Sequence, residues 1–555
     1  MRALVALTGL LIAVPASAQQ PDQASLNTIF ASMAGSQNPG CAVAVARNGS
    51  PFLSGAYGSA DLEHGVQITP ATIFEAGSVS KQFTAAAILL LAEEGKLQLS
   101  DDVRRYVPEL PDYAAKITID HLLSHTSGLR DWGSVMDIAG WPRGTRAYTM
   151  ADVLAIIQRQ RELNHAPGAE YSYTNSGYNL LAMIVHRVSG SSLADFTKAR
   201  LFQPLGMNST SWRDDFRRVV PGRAIAYDRR GDRFAQDMPF EDAYGNGGLL
   251  TTVHDLLAWN EALTTDRLGA RVTRLLAERA TLNDRRSIAY ARGLFVQQYS
   301  GQQEIAHGGA TGGYRTWLGR YPQERLSIAL LCNSGAAAST SLGQKVADLF
   351  LTATPAAGDV RGTAASTIQV DPALPGDFVN ERDGTPLQLR IEEGKLRATG
   401  RPPFETISAR RFRHGPAEVR FVGTDRYALQ LPDGELVNYR RVKPFTPTIT
   451  QLEGFAGRYT SEEVGATYTL ARKGDGLVMR LEGRPEMEME LKPAYADAFA
   501  TEGGIVRFRR NSKGTVTGFG VGIPRVRDIL FKRIDPSRTP ASLSRMSASK
   551  ASGRS

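Results

Sequence analysis

The second half of the chain contains an internal repeat with an offset of 81 residues at every matched position. The recurring positions are Gly376 and Gly457, Phe378 and Tyr459, Gly384 and Gly465, Leu389 and Leu470, Leu396 and Leu477. Short apolar runs broken by Gly, Asp-Gly and Pro surround them, which is typical of β-strands, and no convincing helix precedes Asp535. The repeat predicts two small antiparallel β-barrels of about eight short strands each, at residues 371–446 and 451–535.

Residues 25–352 show a different pattern, in which strands and helices are mixed. The segments CAVAVAR at 41–47 and LSIALLC at 326–332 predict strands near the two ends, and an amphipathic helix is predicted at 79–95. Because strands at both ends enclose helical material, we expect an α+β domain whose ends meet in one sheet. The Ala, Gly, Thr and Pro of residues 353–370 predict a linker to the barrels.

Both ends of the chain contain segments that are expected to lie outside the folded body. Residues 1–18 combine Arg2, an apolar stretch and Ala-Ser-Ala, which is the pattern of a secretory signal peptide cleaved after Ala18. This pattern predicts a periplasmic or secreted protein. Residues 536–555 are rich in Ser, Ala and basic residues and have no apolar period, so we expect a disordered tail.

The net charge of +9 does not indicate a nucleic-acid-binding protein. Arg2 and the four basic residues of the tail account for five of these charges, which leaves +4 on the body. On a body of this size, that charge is typical of an ordinary solvated surface. Beyond the N-terminal stretch no apolar run approaches the roughly 18 residues of a membrane-spanning helix, so we expect no transmembrane segment.

The cysteine content is two, Cys41 and Cys332, which excludes a disulfide scaffold. One bridge between them is compatible with an oxidising compartment. The sequence alone favours two separately buried thiols.

An S-x-x-K motif, Ser78-Val79-Ser80-Lys81, stands at the start of the predicted helix. Three residues along a helix correspond to about 300° of rotation, so Ser78 and Lys81 share a face with their polar ends adjacent. A serine hydroxyl needs a neighbouring base, and a desolvated lysine with a lowered pKa is such a base. The motif alone is weak, because another copy stands at 547–550 in the tail.

Two further motifs supply polar groups at the expected places. Tyr173-Thr174-Asn175 puts a phenol and an amide on a loop before a helix, and His307-Gly308-Gly309 puts an imidazole on a Gly-rich strand that another backbone can approach closely. Taken singly, each is more typical of an ordinary turn or helix cap. Their specificity comes from the order S-x-x-K, Y-x-N, H-G-G, with spacings of 95 and 134 residues.

With these motifs the sequence resembles the serine β-lactamase and penicillin-binding-protein superfamily, and within it the class C β-lactamase-like branch of esterases, D-aminopeptidases and carboxypeptidases. The resemblance covers residues 26–352 and extends to the segments at 117–129, 246–263 and 326–335. It implies an antiparallel sheet with a helical subdomain. It also implies a serine hydrolase that needs no cofactor and no metal.

The resemblance implies a role for each matched residue. Ser78 is expected to be the nucleophile that forms an acyl-enzyme, and Lys81 and Tyr173 share the general-base role. Tyr173 also passes a proton to the leaving group. Asn175 donates to the substrate's amide oxygen or orients Lys81. The backbone N–H groups of Ser78 and Ala310 are expected to form the oxyanion hole.

The third motif departs from the family at its first residue, because β-lactamases and carboxypeptidases usually have a lysine where this chain has His307. That lysine helps to bind the substrate's carboxylate. A histidine is largely neutral near pH 7 and suits hydrogen bonding or proton transfer, so efficient β-lactam hydrolysis and D-Ala-D-Ala trimming are less expected. Gly308 and Gly309 are expected to line the substrate site. Arg315, on the same predicted strand, either restores the positive charge or forms a surface ion pair.

The layout of one hydrolase domain and two barrels resembles the D-aminopeptidases, in which the last barrel sends a long loop into the active site to hold the substrate's free amine. The matching segment here lies between Phe499 and Val506 and has only six residues. We therefore expect a more open cleft. Contact of Asp497 or Glu502 with a substrate amine is the D-aminopeptidase alternative.

Three other interpretations fit the sequence less well. The absence of G-x-S-x-G removes the usual nucleophile elbow of a Ser-His-Asp hydrolase. His121 and His125 have the spacing of a shared metal site, but H-E-x-x-H is absent and no third ligand suggests itself, so a structural role is favoured. A catalytically weak binding or sensor protein on the same scaffold is the third, and the intact Ser78, Lys81 and Tyr173 argue against it.

The expected partner is a small-molecule or short-peptide substrate, with cell-wall fragments among the candidates. Esters, D-amino-acid peptides, muropeptide fragments and β-lactams all contain a scissile acyl group, and the shape of the site decides among them. The sequence leaves this choice, the role of the barrels and the oligomeric state open.

Overall fold

The computed structural model describes residues 22–351, 369–415, 417–431 and 435–535. The predicted signal peptide and the predicted tail lie outside the described residues, as does most of the predicted linker. Within the described ranges, no helix combines the length and apolarity needed to cross a bilayer.

A six-stranded antiparallel sheet organises the N-terminal part of the chain. Its strands, in spatial order, are Phe295–Tyr299, Gln302–Thr311, Tyr314–Tyr321, Leu326–Cys332, Cys41–Arg47 and Ser50–Tyr57. Cys41 and Cys332 are direct neighbours across the two central strands. The ends of the domain therefore meet in one sheet, as the sequence predicts.

Helices cover both faces of this sheet. Alternate residues of Cys41–Arg47 enter two separate cores, so that Val43 packs in one core and Ala44 in the other. The α-helices of this part are Gln23–Ile29, Lys81–Glu93, Ile119–Leu123, Trp132–Ile138, Met150–Gln158, Asn175–Ser189, Leu193–Thr197, Gln203–Leu205, Val253–Thr264, Ala270–Ala277 and Ser339–Asp348. Short strand pairs and triplets complete it: Ser59–Asp61 with Val66–Gln67, Phe74–Glu75 with Leu249–Thr251 and Ser211–Trp212, and Tyr227–Arg230 with Arg233–Gln236.

The helix predicted at 79–95 begins later than the sequence pattern indicates. Gly77–Ser80 form a 3-10 turn, and the α-helix runs over Lys81–Glu93. This helix is buried on nearly all sides, which explains its almost continuous apolar sequence. Its neighbours are the helices Asn175–Ser189 and Ala270–Ala277. The S-x-x-K motif therefore lies at the junction of a turn and a core helix.

Two eight-stranded β-modules follow, as the repeat predicts. The first is a nearly closed barrel of Gly376–Asn380, Pro386–Glu392, Lys395–Ala398, Glu405–Ser408, Arg411–His414, Ala417–Val422, Arg426–Gln430 and Leu436–Val442. The second is a closed barrel of Gly457–Ser461, Ala466–Lys473, Gly476–Leu481, Arg484–Tyr495, Ala498–Ala500, Ile505–Arg510, Val516–Ile523 and Val526–Arg533.

The repeated residues occupy equivalent positions in the two barrels. Each barrel's first strand opens on the repeated glycine, which pairs with the repeated leucine of the second strand: Gly376 with Leu389, and Gly457 with Leu470. The aromatic residue two places after each glycine is fully buried. The constant offset therefore reflects one shared packing scheme.

One helix in this half contradicts the sequence prediction. Ile449–Phe455 form a short α-helix before the second barrel, although no helix was expected ahead of Asp535. Thr448 and Gln451 cap each other reciprocally at its start, and Leu452 and Phe455 are buried. Only two core contacts in seven residues leave too little periodicity for a prediction.

The second barrel is packed onto the N-terminal part, and the two share one continuous core. The Tyr468 hydroxyl donates to the Ile138 carbonyl at 2.6 Å, and Arg130 forms a buried ion pair with Glu463 at 2.6 Å. The barrel is thereby held against the segment that leads towards Tyr173.

The two cysteines form a disulfide bond, which corrects the expectation of two separate thiols. The sequence separates Cys41 and Cys332 by 291 residues, but the antiparallel register places them directly opposite each other. Linear spacing contains no information on this register, which is set by the pairing of the whole strands.

Removal of this bond is expected to destabilise the fold without altering the reaction. The Cys41→Ala, Cys332→Ala double variant should lose about 2–5 kcal/mol of unfolding free energy, because the crosslink restricts the unfolded chain. Urea unfolding of oxidised protein and the variant measures the difference. Two thiols that titrate in unreduced, denatured protein would contradict the bond.

Candidate active site

Ser78 lies in a 3-10 turn that touches the sheet backbone to backbone. Gly77 has φ of 50°, and a Cβ at this position would lie 2.7 Å from the Ala310 nitrogen. A Cβ on Gly309 would lie 2.1 Å from the Ala76 carbonyl oxygen. Side chains do not fit at such distances, so both glycines are needed for the close approach. This agrees with the expectation for the H-G-G strand.

The Lys81 amine lies at the centre of the predicted polar groups. Its Nζ is 3.0 Å from Ser78 Oγ, 3.0 Å from Asn175 Oδ1 and 2.6 Å from the Asn246 carbonyl oxygen. Lys81 is completely buried, and Asn175 nearly so. The structure thus brings the first two motifs into direct contact.

Burial holds the pKa of Lys81 well below its ordinary value of 10.5, and the positive charges of Arg525 and Arg143 lower it further. A neutral amine has two N–H bonds and one lone pair. The Asn175 and Asn246 oxygens accept the two N–H bonds, since neither can donate. The lone pair is then directed at the Ser78 hydroxyl, which is the geometry of a general base.

Tyr173 is the second residue that contacts Ser78 Oγ. Its hydroxyl donates to Ser78 Oγ at 2.8 Å. Burial raises the pKa of the Tyr173 phenol above its ordinary value of 10.0, so the phenol keeps its proton. Ser78 Oγ thus lies within hydrogen-bond distance of both Tyr173 and Lys81.

Asn175 is fixed in place from both sides. It is the first residue of the Asn175–Ser189 helix, and Thr174 caps that helix through the Ser176 nitrogen. The Asn175 backbone N–H donates to Asp131 Oδ2 at 2.6 Å. The side-chain amide is then free to point at Lys81, as one of its two predicted roles requires.

His307 is buried, and both of its ring nitrogens are engaged. Its Nδ1 lies 2.6 Å from the Gly308 carbonyl oxygen, and its Nε2 lies 3.2 Å from the Tyr290 hydroxyl. Since a carbonyl only accepts, Nδ1 bears the hydrogen and Nε2 accepts from Tyr290. Burial lowers the pKa of His307 to about 3, so the ring is neutral.

Tyr290 joins His307 to a second buried histidine, His125. The Thr174 N–H donates to His125 Nδ1 at 3.3 Å, so His125 Nε2 bears the hydrogen and donates to the Tyr290 hydroxyl at 3.2 Å. The direction of every hydrogen bond from His125 to His307 follows from these contacts. These contacts hold the His307 ring in one orientation on the H-G-G strand.

The predicted site residues line one cavity of about 600 Å³. Its walls include Ser78, Tyr173, Asn175, His307, Gly308, Gly309, Ala310 and Arg315. Lys81 lies behind Ser78. Arg315 lies on the neighbouring strand Tyr314–Tyr321, opposite Ala310, and not on the H-G-G strand as predicted, because the chain turns back after Thr311. Among the described residues it forms no ion pair; its guanidinium donates to the Gly312 and Tyr314 carbonyls. Beyond Ala310 and Arg315, the cavity adjoins a second one of about 360 Å³.

Several residues at this site were missed in the sequence. Asn246 stands in a segment that shows the family resemblance, but its carbonyl, not its side chain, contacts Lys81. His125 stands in the resembling segment 117–129, but the sequence assigned it no contact with the site. Tyr290, Arg143 and Arg525 belong to no motif, and no sequence signal points to them.

The second barrel contributes a residue to the cavity wall, but not from the hairpin between Phe499 and Val506. The hairpin between Phe499 and Val506 is short, and neither Asp497 nor Glu502 lines the cavity; Asp497 pairs with Arg510. The hairpin that joins Val516–Ile523 to Val526–Arg533 places Arg525 in the cavity wall instead. The short hairpin agrees with the expectation that this segment does not extend into the cleft, and the contact through Arg525 was not predicted.

The structural role favoured for His121 and His125 agrees with their contacts. His121 Nδ1 accepts the Thr118 N–H at the start of its helix. In the described part of the chain, the group of metal-ligating side chains that lie close together is Asp61, Glu63 and His64, at the surface. The two histidines are not in that group.

Comparison with known proteins gives consistent results along the chain. The family model described as Beta-lactamase matches residues 26–349. The D-aminopeptidase of Brucella anthropi is 26% identical over 522 residues, covering 90% of this chain and 96% of the relative. The D-aminopeptidase of Brucella melitensis is 27% identical over 534 residues, with the same coverage.

Solved structures show the same fold. The octameric penicillin-binding protein homologue from Pyrococcus abyssi aligns with a TM-score of 0.53 at 23% identity, covering 72% of this chain and 96% of that chain. The D-stereospecific amidohydrolase from Streptomyces sp. aligns with a TM-score of 0.51 at 23% identity, covering 60% of this chain and 100% of that chain.

The close approach of strand and turn predicts different outcomes for two adjacent glycines. Gly309→Ala should lower kcat by about 10²-fold or more, because its Cβ would displace Ala76 and with it the oxyanion-hole geometry. Gly308→Ala, also in the cavity wall, should lose much less, since its Cβ would lie 3.4 Å from Thr340 Oγ1, an ordinary contact. Ester hydrolysis by both variants is the measurement. Equal rates would show that the backbone contact is dispensable.

Proposed function

Because the chain belongs to the beta-lactamase family and is a serine hydrolase of that fold, we propose that it acts on esters, amides or D-amino-acid peptides through an acyl-enzyme on Ser78. The observation that supports this most directly is the network at the nucleophile. Lys81 Nζ and the Tyr173 hydroxyl lie 3.0 Å and 2.8 Å from Ser78 Oγ.

In the proposed acylation step, Ser78 Oγ attacks the carbonyl carbon of the substrate while its proton passes to Lys81. The lowered pKa of Lys81 makes the neutral amine available for this transfer. The negative charge that develops on the carbonyl oxygen is stabilised by the N–H groups of Ser78 and Ala310. Each such donor is worth about 3 kcal/mol in the transition state.

In the proposed second step, the leaving group takes the Tyr173 proton, and Lys81 returns a proton to Tyr173. Tyr173 suits this role because its phenol stays protonated and its hydroxyl touches Ser78 Oγ. Water then attacks the acyl ester, with the same pair of groups acting in reverse. In this scheme we assign His307 the role of holding the strand that carries Ala310, since its ring is bound to the Gly308 carbonyl and the Tyr290 hydroxyl.

The two relatives favour D-amino-acid substrates. Both are called D-aminopeptidases, and their similarity extends over the barrels as well as the hydrolase part. D-aminopeptidase activity is therefore the second candidate. The class C branch is preferred within the superfamily on the H-G-G motif, and a periplasmic or secreted location is proposed on the pattern of residues 1–18.

A fluorophosphonate probe tests the nucleophile. Wild-type protein should become labelled on Ser78, and Ser78→Ala should abolish the label, with mass spectrometry locating the adduct. Ser80→Ala is a control within the same motif, since its hydroxyl donates to the Gly77 carbonyl and does not line the cavity. Folded wild-type protein that stays unlabelled would favour the catalytically weak binding protein instead.

The state of Lys81 predicts the pH profile. Since the neutral amine is the base, kcat/KM should rise with pH as Lys81 loses its proton, with a midpoint well below 10.5.

Lys81→Ala and Tyr173→Phe should slow p-nitrophenyl ester hydrolysis by about 10²-fold or more. Lys81→Arg should be equally slow, because a guanidinium stays protonated. Lys96→Ala, at a surface ion pair with Glu94, is the control. Rates within a factor of about two of wild type would remove Lys81 from the mechanism.

A further inference from the structure

The cavity is lined by more cationic side chains than carboxylates. Three guanidinium groups line it, those of Arg143, Arg315 and Arg525. The carboxylate among the lining residues is Glu304, which accepts from the Tyr321 hydroxyl at 2.6 Å and from Gln297 at 2.8 Å. Glu304 is therefore engaged within the protein.

The three arginines differ in their partners. Arg143 is paired with Glu241. Arg315 donates only to backbone carbonyls, which carry no net charge. The Arg525 side chain contacts the Tyr173 ring, with the guanidinium 4.9 Å from the ring centroid, and forms no ion pair among the described residues. Of the three, Arg525 is also the exposed one.

The backbone of Arg525 is rigidly held although its side chain is free of acidic partners. Its carbonyl accepts the Asn164 side-chain amide at 3.0 Å and the Asp131 N–H at 3.3 Å. Next to it, the Arg527 N–H donates to Asn164 Oδ1 at 2.8 Å, and Arg527 pairs with Glu170 at 2.9 Å. A hairpin fixed on both sides presents one guanidinium to the cleft at a defined place.

We propose that Arg525 binds a free carboxylate of the substrate, so that the second barrel selects anionic acyl substrates. This inference rests on the proposed hydrolase function. A guanidinium offers two parallel N–H donors that match a carboxylate, and an unpaired cation in a cleft attracts anions. The first residue of the third motif is a neutral histidine here, so Arg525 supplies from another domain a charge that this strand lacks. A substrate ammonium would instead be repelled, so this inference favours the first candidate function over D-aminopeptidase activity.

Matched esters test the proposal on full-length protein. Mono-p-nitrophenyl glutarate and p-nitrophenyl valerate differ by a carboxylate on the acyl side, and 3-carboxyphenyl acetate and phenyl acetate differ by one on the leaving group. We expect kcat/KM for the anionic member of at least one pair to exceed the neutral one about tenfold, mainly through KM, with the preference falling as salt increases.

Substitutions at Arg525 test whether this side chain causes the preference for anionic esters. Arg525→Ala should bring the ratio of anionic to neutral kcat/KM within each pair close to one, a ratio from which any shared effect on Lys81 cancels, and Arg525→Lys should keep part of the preference. Arg525→Glu should reverse it towards p-nitrophenyl 4-trimethylammoniobutyrate. Arg480→Ala is the matched control, since Arg480 pairs with Glu488 on the same barrel and does not line the cavity.

The outcomes separate this inference from the proposed function. Equal rates within both ester pairs, a wild-type preference for the cationic ester, or an equal loss on all esters in Arg525→Ala would overturn the carboxylate assignment and leave the serine hydrolase intact. No hydrolysis of any ester together with no fluorophosphonate label on Ser78 would refute both.

Discussion

The site depends on a lysine amine that is buried among neutral acceptors. The partners of Lys81 are a hydroxyl, an amide oxygen and a peptide carbonyl, and no carboxylate pairs with it in the described residues. Such a setting stabilises an ammonium less than water does, so it favours the neutral amine and lowers the pKa of Lys81. Because two of the three acceptors have no hydrogen to give, the amine's lone pair faces the third, the Ser78 hydroxyl. Burial thus favours the neutral amine, and the acceptors direct it towards Ser78, as the proposed role of general base requires.

The rest of the site holds the sheet and the nucleophile turn in register. The Thr316 hydroxyl donates to the Ala76 carbonyl at 2.8 Å, next to the contact that the missing side chain of Gly309 permits. On the other side, Tyr290 fixes His307 through a hydrogen-bond array whose direction leaves neither histidine charged. The N–H groups proposed as the oxyanion hole, those of Ser78 and Ala310, lie one on each element, so any slippage between the elements would separate them.

Local patterns in the sequence were sufficient where the determining contacts are local or repeated. The 81-residue offset predicts both barrels, because equivalent positions must pack alike. The S-x-x-K spacing predicts the contact of Ser78 with Lys81. The disulfide could not be predicted in this way, because it depends on the register of strands 291 residues apart. Arg525 is a similar case: 352 residues separate it from Tyr173, and only the docking of the second barrel brings the two together.

The position of Arg525 raises the question whether a bound carboxylate would disable the base. The charge of Arg525 helps to lower the pKa of Lys81, so a substrate anion that neutralises it would allow that pKa to rise. Burial, however, is the larger cause of the lowered pKa, and Lys81 is completely buried. Arg143, which is paired with Glu241, is a further cause. The lowered pKa of Lys81 therefore depends mainly on burial, which a carboxylate bound at Arg525 would leave in place.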